Sequence, residues 1–273
     1  MPTLPPERGP HRARGSHENR QVAESFGADA ARYDRARPRY PAALIDRIVS
    51  VVPGRQVLDV GCGTGIVARQ FAAAGCRVLG VDVDARMADL ARRRGLDVEV
   101  AAFEAWEPAG RAFDAVVSGQ TWHWVDPVAG AAREAQVLRP GGLLALFWNA
   151  GRPAPAVADA FAEVYRRVTP DTLAARQSAT SAVDGYTALC AKAAEGIGKA
   201  NGFADPEHWR FDWERPYTRD EWLDQLPTQG AFTRLPKPEL EEVLAGVGAA
   251  IDAAGGSFTM HYATLAVAAK RTG

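Results

Sequence analysis

Short apolar runs alternate with amphipathic segments through the first half of the chain, and most of these runs end in glycine or an acidic residue. Runs of this kind predict buried strands, here at 55–61, 77–84, 96–102, 113–119 and 143–149. Helices are predicted between them, at 66–75, at 85–95 and from Pro127, with Asp126 as N-cap, to the terminator at Pro140. The alternation predicts an α/β fold with a mostly parallel sheet and helices on both faces.

The pattern changes at both ends of this region. Residues 1–25 are polar and rich in Pro, Gly and Arg, which predicts a disordered leader. Residues 150–205 have helix-like stretches and no clear strand, so we expect a helical insertion that caps the sheet and shapes a substrate pocket. Residues 206–273 return to strand patterns and are predicted to complete the sheet. Their two strands are predicted at 208–217 and 256–271, as an antiparallel edge.

Composition narrows the range of partners and locations. The chain has 273 residues and a formal net charge of −1, which argues against a nucleic-acid partner. It has no run of 18 apolar residues and no apolar secretory signal, so no membrane association is expected. Three cysteines in no metal or disulfide spacing, Cys62, Cys76 and Cys190, favour the cytoplasm. No acidic cluster suggests a metal, and the oligomeric state is left open.

The stretch "VLDVGCGTG" at 57–65 carries the first chemical signal. A glycine turn between a strand and a helix is typical of a nucleotide site, because the helix N-terminus offers free N–H groups. Asp82 ends the second strand, and its carboxylate can accept both hydroxyls of a ribose. The spacing G-x-G-x-G differs from the G-x-G-x-x-G of dinucleotide sites, which counts against NAD. The pattern therefore predicts an adenosine cofactor.

At this point the sequence resembles a known family. "VLDVGCGTG", "VLGVDVDARM", "FDAVVSGQTWHWV", "EAQVLRPGGLLAL" and the upstream "RYDRARPRYP" occur in the order found in class I S-adenosylmethionine-dependent methyltransferases. The set is similar to the small-molecule branch that includes trans-aconitate methyltransferase-like proteins. The resemblance implies a Rossmann-like seven-stranded sheet whose last strand is inserted antiparallel. It also implies that residues 26–149 form the cofactor-binding core.

The resemblance also implies roles for residues around the methionine half of S-adenosyl-L-methionine. Asp59 would hold the amino group, directly or through water, and Gln120 would lie close to the methionine moiety. Tyr33 and Arg37 belong to a segment that closes over the cofactor, where an arginine could pair with its carboxylate. The glycine turn would line this half through Gly61, Cys62, Gly63 and Gly65.

Roles for the adenosine half follow in the same way. Asp82 would hold the ribose, Val83 and Met87 would flank the adenine, and Phe103 and Glu104 would lie where its edge is read. Asp84 suits the N-cap of the helix at 85–95 better than Asp82 does, which leaves Asp82 free for the ribose.

The segment "TWHW" at 121–124 follows the fourth strand. His123 is either a packing residue or a general base that faces the substrate. Trp122, Trp124 and Trp148 come from adjacent strand ends. They are either core residues or the walls of a substrate pocket beside the reactive sulfonium.

The expected reaction is methyl transfer to a small molecule by in-line displacement, with S-adenosyl-L-homocysteine as product. A carboxylate acceptor needs no base, whereas a hydroxyl acceptor would need one, for which His123 is the candidate. "SGQTWHW" differs from the Asn/Asp-Pro-Pro-aromatic tetrapeptide of nucleobase or amide methylation. Two alternatives stay open, an NAD-linked oxidoreductase and a non-catalytic cofactor-binding protein.

Overall fold

The computed structural model describes residues 25–170, 175 and 182–273, and seven strands of this part of the chain form one sheet. The strands are β1 (Gln56–Val60), β2 (Arg77–Asp82), β3 (Asp97–Val100), β4 (Phe113–Gly119), β5 (Leu138–Pro153), β6 (Glu207–Thr218) and β7 (Ser257–Lys270). Their order across the sheet is β3-β2-β1-β4-β5-β7-β6. The predicted leader lies outside the described residues, except for Ser25.

The strands β1 to β5 pair in parallel, and β7 runs antiparallel to both of its neighbours, β5 and β6. The predicted fold class is therefore confirmed, including the antiparallel C-terminal strand inserted beside an edge strand. Since parallel strands end at the same edge, the segments that follow β1, β2 and β4 meet there. This edge holds most of the predicted site residues.

Burial explains why the central and edge strands differ in sequence. Residues of β4 from Phe113 to Ser118 are buried on both faces, which is why the run is apolar almost throughout. β6 alternates instead, and Arg210, Asp212 and Glu214 lie exposed at the sheet edge. Charged residues on an edge strand discourage pairing with other chains.

The helices cover the sheet on both sides. Those of the described residues are α1 (Ala30–Ala36), α2 (Ala42–Val51), α3 (Ile66–Ala73), α4 (Ala85–Arg93), α5 (Pro127–Val137), α6 (Pro155–Val168), α7 (Ala182–Lys199), α8 (Arg219–Gln225) and α9 (Lys237–Ala253). None of these helices combines the length and the apolar character needed to cross a bilayer.

Local capping signals set several helix starts. Asp84 caps α4 by accepting a hydrogen bond from the backbone N–H of Arg86. Asp126 caps α5, with Pro127 in the first turn. Both N-caps were predicted from the sequence and are confirmed, because capping depends on neighbouring residues alone.

β5 extends further than the predicted strand at 143–149. Antiparallel pairing with β7 continues as far as Pro153 opposite Met260. At its other end Leu138 pairs with Phe113 across a register shift in β4. The local sequence shows no strand signal at 150–153, and the long partner β7 imposes the conformation.

Four clusters of buried side chains make up the core of the described residues, the smallest of them formed by Cys62, Ala88, Ala91 and Val98. One lies on the sheet face of Leu144, Leu146 and Trp148, and the other main cluster lies on the face of Ala145 and Phe147. A third cluster packs α6, α8 and α9 against the extended ends of β6 and β7. Adjacent residues of β5 thus serve opposite faces, as the alternation of a strand requires.

The segment 150–205 does not form one separate insertion among the described residues. Residues 150–153 belong to β5, α6 joins the third cluster through Phe161 and Val164, and α7 joins the first through Cys190 and Ile197. The two helices therefore lie on different faces of the sheet. Their apolar faces are partnered by the sheet and by α9, which the sequence alone does not reveal.

Candidate active site

The glycine turn between β1 and α3 is tied to the neighbouring strand. The backbone N–H groups of Gly61 and Cys62 donate to the carbonyl of Val81 at 2.8 and 3.2 Å. Gly61, Gly63 and Gly65 have φ values of +68°, +55° and +83°. These are left-handed conformations that favour glycine, so the turn depends on all three.

The three glycines face different surroundings. A Cβ on Gly61 would stand 2.0 Å from Thr121 Cγ2, and one on Gly65 would stand 2.1 Å from Leu96 Cδ1. A Cβ on Gly63 would meet only Met87 Cε, at 3.5 Å. Gly61 and Gly65 therefore permit packing within the chain, whereas the Cα of Gly63 faces space that a ligand can take.

Asp82 links the end of β2 to the glycine turn. Its carboxylate accepts hydrogen bonds from the backbone N–H of Gly63 at 2.7 Å and from that of Asp84 at 2.8 Å. Burial raises the pKa of Asp82, and these two backbone donors oppose the shift. Each oxygen uses one acceptor site in these bonds and keeps another for a diol.

Asp59 lies buried at the end of β1, two residues before the turn, with 1% of its surface exposed. Neither carboxylate oxygen makes a hydrogen bond of normal geometry with a described residue. Burial and then the charge of Asp82 raise the pKa of Asp59 to about 8, against an opposing effect of the Ala68 backbone N–H. A buried carboxylate without a partner is costly and suits a cationic ligand group.

A cavity of about 50 Å³ lies between the turn and the N-terminal segment. It brings together the predicted residues Tyr33, Arg37, Gly61, Gly63 and Gln120 and the backbone around Cys62, whose thiol packs toward Gly80. Its other lining residues are Pro38, Tyr40, Thr64, Ile66, Val67, Gly119, Thr121 and Asn149.

Ion pairs hold α1 over this cavity. Asp34 pairs with Arg69 and Arg94, and Asp224 of α8 pairs with Arg32 and Arg35. These pairs orient α1 so that Tyr33, and Arg37 directly after the helix, line the cavity.

The Arg37 guanidinium lies 5.2 Å from the centre of the Tyr33 ring. No carboxylate of the described residues lies within ion-pair distance of it. A positive charge at the cavity without a protein counter-charge suits an anionic ligand group.

Gln120 is strained and partly unsatisfied. Its φ of +58° is unusual for a residue other than glycine, and its buried Oε1 has no partner among the described residues. Its Nε2 lies 3.3 Å from the carbonyl of Asn149 and 3.5 Å from the hydroxyl of Tyr186. A strained backbone with a free acceptor is typical of a functional position.

Thr121, Asn149 and Tyr186 are among the residues near the site that were not predicted. Thr121 bonds the carbonyls of Gly61 and Gly119, and Asn149 accepts a hydrogen bond from Thr264. Thr121 follows the end of β4, and Asn149 ends the strand predicted at 143–149, which is a usable signal. Tyr186 comes from α7, and no motif in the sequence marks it.

The adenosine side of the predicted site lies outside this cavity. The Met87 side chain points to Gly63, whereas Phe103 is buried in the first cluster and packs against Trp106. Glu104 accepts a hydrogen bond from the Asp126 backbone N–H. The adenine contacts of these residues and of Val83 stay predictions.

The three tryptophans occupy different environments. Trp122 and Trp148 are 3% and 1% exposed and belong to the first buried cluster. Trp124 is partly exposed, and its ring lies 4.6 Å from that of His123. The burial of Trp122 and Trp148 favours the core interpretation for these two, while a pocket role for Trp124 stays a prediction.

His123 has a surrounding that does not suit a general base. Its Nδ1 accepts a hydrogen bond from Trp148 Nε1 at 3.3 Å. Burial lowers the pKa of His123 to about 4, so the imidazole is neutral at pH 7. The lone pair at Nδ1 is already engaged, and the proton therefore lies on Nε2.

A doubly wound sheet with a glycine turn and acidic residues at the ends of β1 and β2 defines a nucleotide-cofactor fold. Residues 58–146 match the family model described as "Methyltransferase domain". The chain is 39% identical over 133 residues to an uncharacterized methyltransferase of Mycobacterium bovis, covering 48% of this chain and 54% of that protein. The match thus spans about half the length of this relative.

A second relative is matched over more of its length. The malonyl-[acyl-carrier protein] O-methyltransferase of Enterobacter lignolyticus is 30% identical over 174 residues, covering 62% of this chain and 69% of that protein. A solved structure of a candidate type II methyltransferase from Anaeromyxobacter dehalogenans has 25% identity and a TM-score of 0.62, covering 85% of this chain and 97% of that chain. The chain belongs to the class I methyltransferase family. Neither the oxidoreductase alternative nor the non-catalytic one gains support from these relatives.

Proposed function

We propose that this protein transfers a methyl group from S-adenosyl-L-methionine to an oxygen atom of a small molecule. The observation that carries the proposal is Asp59, a buried carboxylate at the end of β1, two residues before the glycine turn. Neither of its oxygens makes a hydrogen bond of normal geometry with a described residue. The cofactor's ammonium group would supply the missing partner. Placement in the trans-aconitate methyltransferase-like branch stays a prediction.

The donor set fits the cofactor group by group. Asp59 would bind its ammonium group, Arg37 its carboxylate and Asp82 its ribose hydroxyls. Met87 and Val83 would lie beside the adenine. When bound, the cofactor supplies a methyl group on a cationic sulfur, which in-line displacement moves to the acceptor.

The surrounding side chains favour an acceptor that is already ionised, a carboxylate more than a hydroxyl. His123 has its Nδ1 lone pair engaged, and burial raises the pKa of Tyr40 well above its usual value. Asp59, whose pKa is raised to about 8, is buried in β1. None of the three is suited to remove a proton from a hydroxyl at neutral pH, whereas a carboxylate needs no base. O-methylation is also the activity named for the Enterobacter relative.

Two measurements test the proposal in sequence. Isothermal titration calorimetry with S-adenosyl-L-homocysteine should show binding, and NADH should give no heat. Transfer of labelled methyl groups should then be measured against a panel of small carboxylic acids, with matched alcohols and phenols as the comparison. Absence of heat with S-adenosyl-L-homocysteine overturns the cofactor assignment, and transfer to alcohols alone overturns the acceptor class.

A further inference from the structure

We propose that Trp148 fixes His123 as a hydrogen-bond donor toward the acceptor, so that His123 orients the acceptor and does not remove a proton from it. Trp148 is then a positioning residue, because it acts through the imidazole. The inference rests on the proposed function and assigns one side chain that would bind the acceptor.

The chemistry of the two rings determines which atom carries the proton. An indole N–H can only donate, so the His123 Nδ1 that lies 3.3 Å from Trp148 Nε1 must present a lone pair. A neutral imidazole with a lone pair on Nδ1 has its proton on Nε2. His123 therefore offers a donor at Nε2 and has no free ring lone pair.

The surrounding structure holds this arrangement in place. Trp148 is 1% exposed, and its backbone pairs with Leu265 of β7. The Trp124 ring packs against the imidazole at 4.6 Å between centroids. Burial alone lowers the pKa of His123, with no contribution from a neighbouring charge. Protonation at Nδ1 would also bring two N–H groups face to face, which opposes the imidazolium.

The free donor belongs to the chain segment that directly follows two of the cavity residues. His123 belongs to the single-turn 3₁₀ helix Trp122–Trp124, which directly follows the cavity residues Gln120 and Thr121. No described residue accepts a hydrogen bond from His123 Nε2. An acceptor oxygen, such as that of a carboxylate, is the partner that this N–H group would bind.

The tautomer can be measured without any acceptor. Long-range proton–nitrogen NMR correlations of the full chain, saturated with S-adenosyl-L-homocysteine, should show His123 protonated at Nε2 from pH 5 to pH 8. In Trp148→Phe, the Nδ1-protonated form should become populated. Signals of an imidazolium near pH 7, or of Nδ1–H in the unaltered protein, would overturn the proposal.

The role toward the acceptor is tested with the best acid from the methyl-transfer panel. His123→Leu should raise KM for that acid about 10- to 100-fold and leave S-adenosyl-L-homocysteine affinity unchanged. The amide of glutamine can donate in place of Nε2–H, so His123→Gln should bring KM most of the way back to the value of the unaltered protein. His208→Leu, an exposed histidine on β6, is the matched control and should have no effect.

The outcomes separate this inference from the proposed function. A rate that depends on a group with a pKa between 6 and 8, lost in His123→Gln, would make His123 a base and refute the donor role. An equal increase in KM for the acid in His123→Leu and His123→Gln would mean that His123 serves only in packing, and this would refute the donor role. If no acid is methylated although S-adenosyl-L-homocysteine binds, the acceptor class is wrong and the donor role is refuted with it, while the tautomer is still decided by NMR.

Discussion

The carboxylate of Asp82 accepts a hydrogen bond from the backbone N–H of Gly63 at 2.7 Å. This contact joins the end of β2 to the one glycine of the turn whose Cα faces open space. The residue expected to bind the ribose therefore also holds the conformation of the turn. Substitution at this position should affect both the ligand and the loop.

Asp82→Ala should weaken S-adenosyl-L-homocysteine binding about 10- to 100-fold, because charge-assisted hydrogen bonds contribute about 1.5–3 kcal/mol. Isothermal titration calorimetry measures the change. Asp89→Ala, an exposed carboxylate on α4 that pairs with Arg92, is the matched control and should keep full affinity. Unchanged affinity in Asp82→Ala would remove the ribose assignment.

Asp59→Asn should bind S-adenosyl-L-homocysteine more weakly and yet make the ligand-free protein more stable at pH 8. The folded state raises the pKa of Asp59 to about 8, so the folded protein holds a proton that the unfolded chain releases above about pH 4. Stability of the unaltered protein thus declines as pH rises from about 4 to 8, and asparagine removes that loss. As pH rises from about 4 to 8, the melting temperature of the variant should increase relative to that of the unaltered protein. A difference that does not change with pH would contradict a buried carboxylate without a hydrogen bond of normal geometry.

Glu134→Gln should also stabilise the protein at neutral pH, by about 1–3 kcal/mol. Glu134 is 0% exposed, neither oxygen has a partner among the described residues, and burial raises its pKa well above the usual value. The folded state keeps its proton while the unfolded chain loses it as pH rises, so the gain should vanish near pH 4. Urea denaturation at pH 4 and pH 7 measures it. Glu163→Gln, an exposed position on α6, should show no such pH dependence, and ligand affinity should stay normal in both variants.

Three alanine substitutions should separate the roles of the glycines. Gly75 has a φ of +82° and nothing within 4 Å of an added Cβ, so Gly75→Ala measures backbone strain alone, about 1 kcal/mol. Gly63→Ala should lose a similar amount of stability and lose ligand binding as well. Gly65→Ala should lose more, because its Cβ would stand 2.1 Å from Leu96 Cδ1. Thermal melting measures the stability of all three variants, and calorimetry measures their affinity for S-adenosyl-L-homocysteine. Normal affinity in Gly63→Ala would mean that the ligand binds elsewhere.

Local signals in the sequence were sufficient for the alternating elements and for the turn. β4 has the predicted bounds, and Asp84 and Asp126 cap the predicted helices, because strand burial pattern and capping depend on near neighbours along the chain. The glycine turn and the position of Asp82 at the end of β2 were predicted for the same reason, and the ribose role of Asp82 stays a prediction. The resemblance to methyltransferases supplied the prediction that the last strand is inserted antiparallel in the sheet.

Tertiary structure alone decided features that depend on distant partners. The length of β5 is set by β7, more than 100 residues away in the chain, and the segment 150–205 is divided between two faces of the sheet. The same applies to His123, because its proton position depends on Trp148 of β5, 25 residues away in the chain. Sequence identifies residues able to carry chemistry, but pairing, burial and hydrogen bonds between remote residues determine which protonation state and which role each one has.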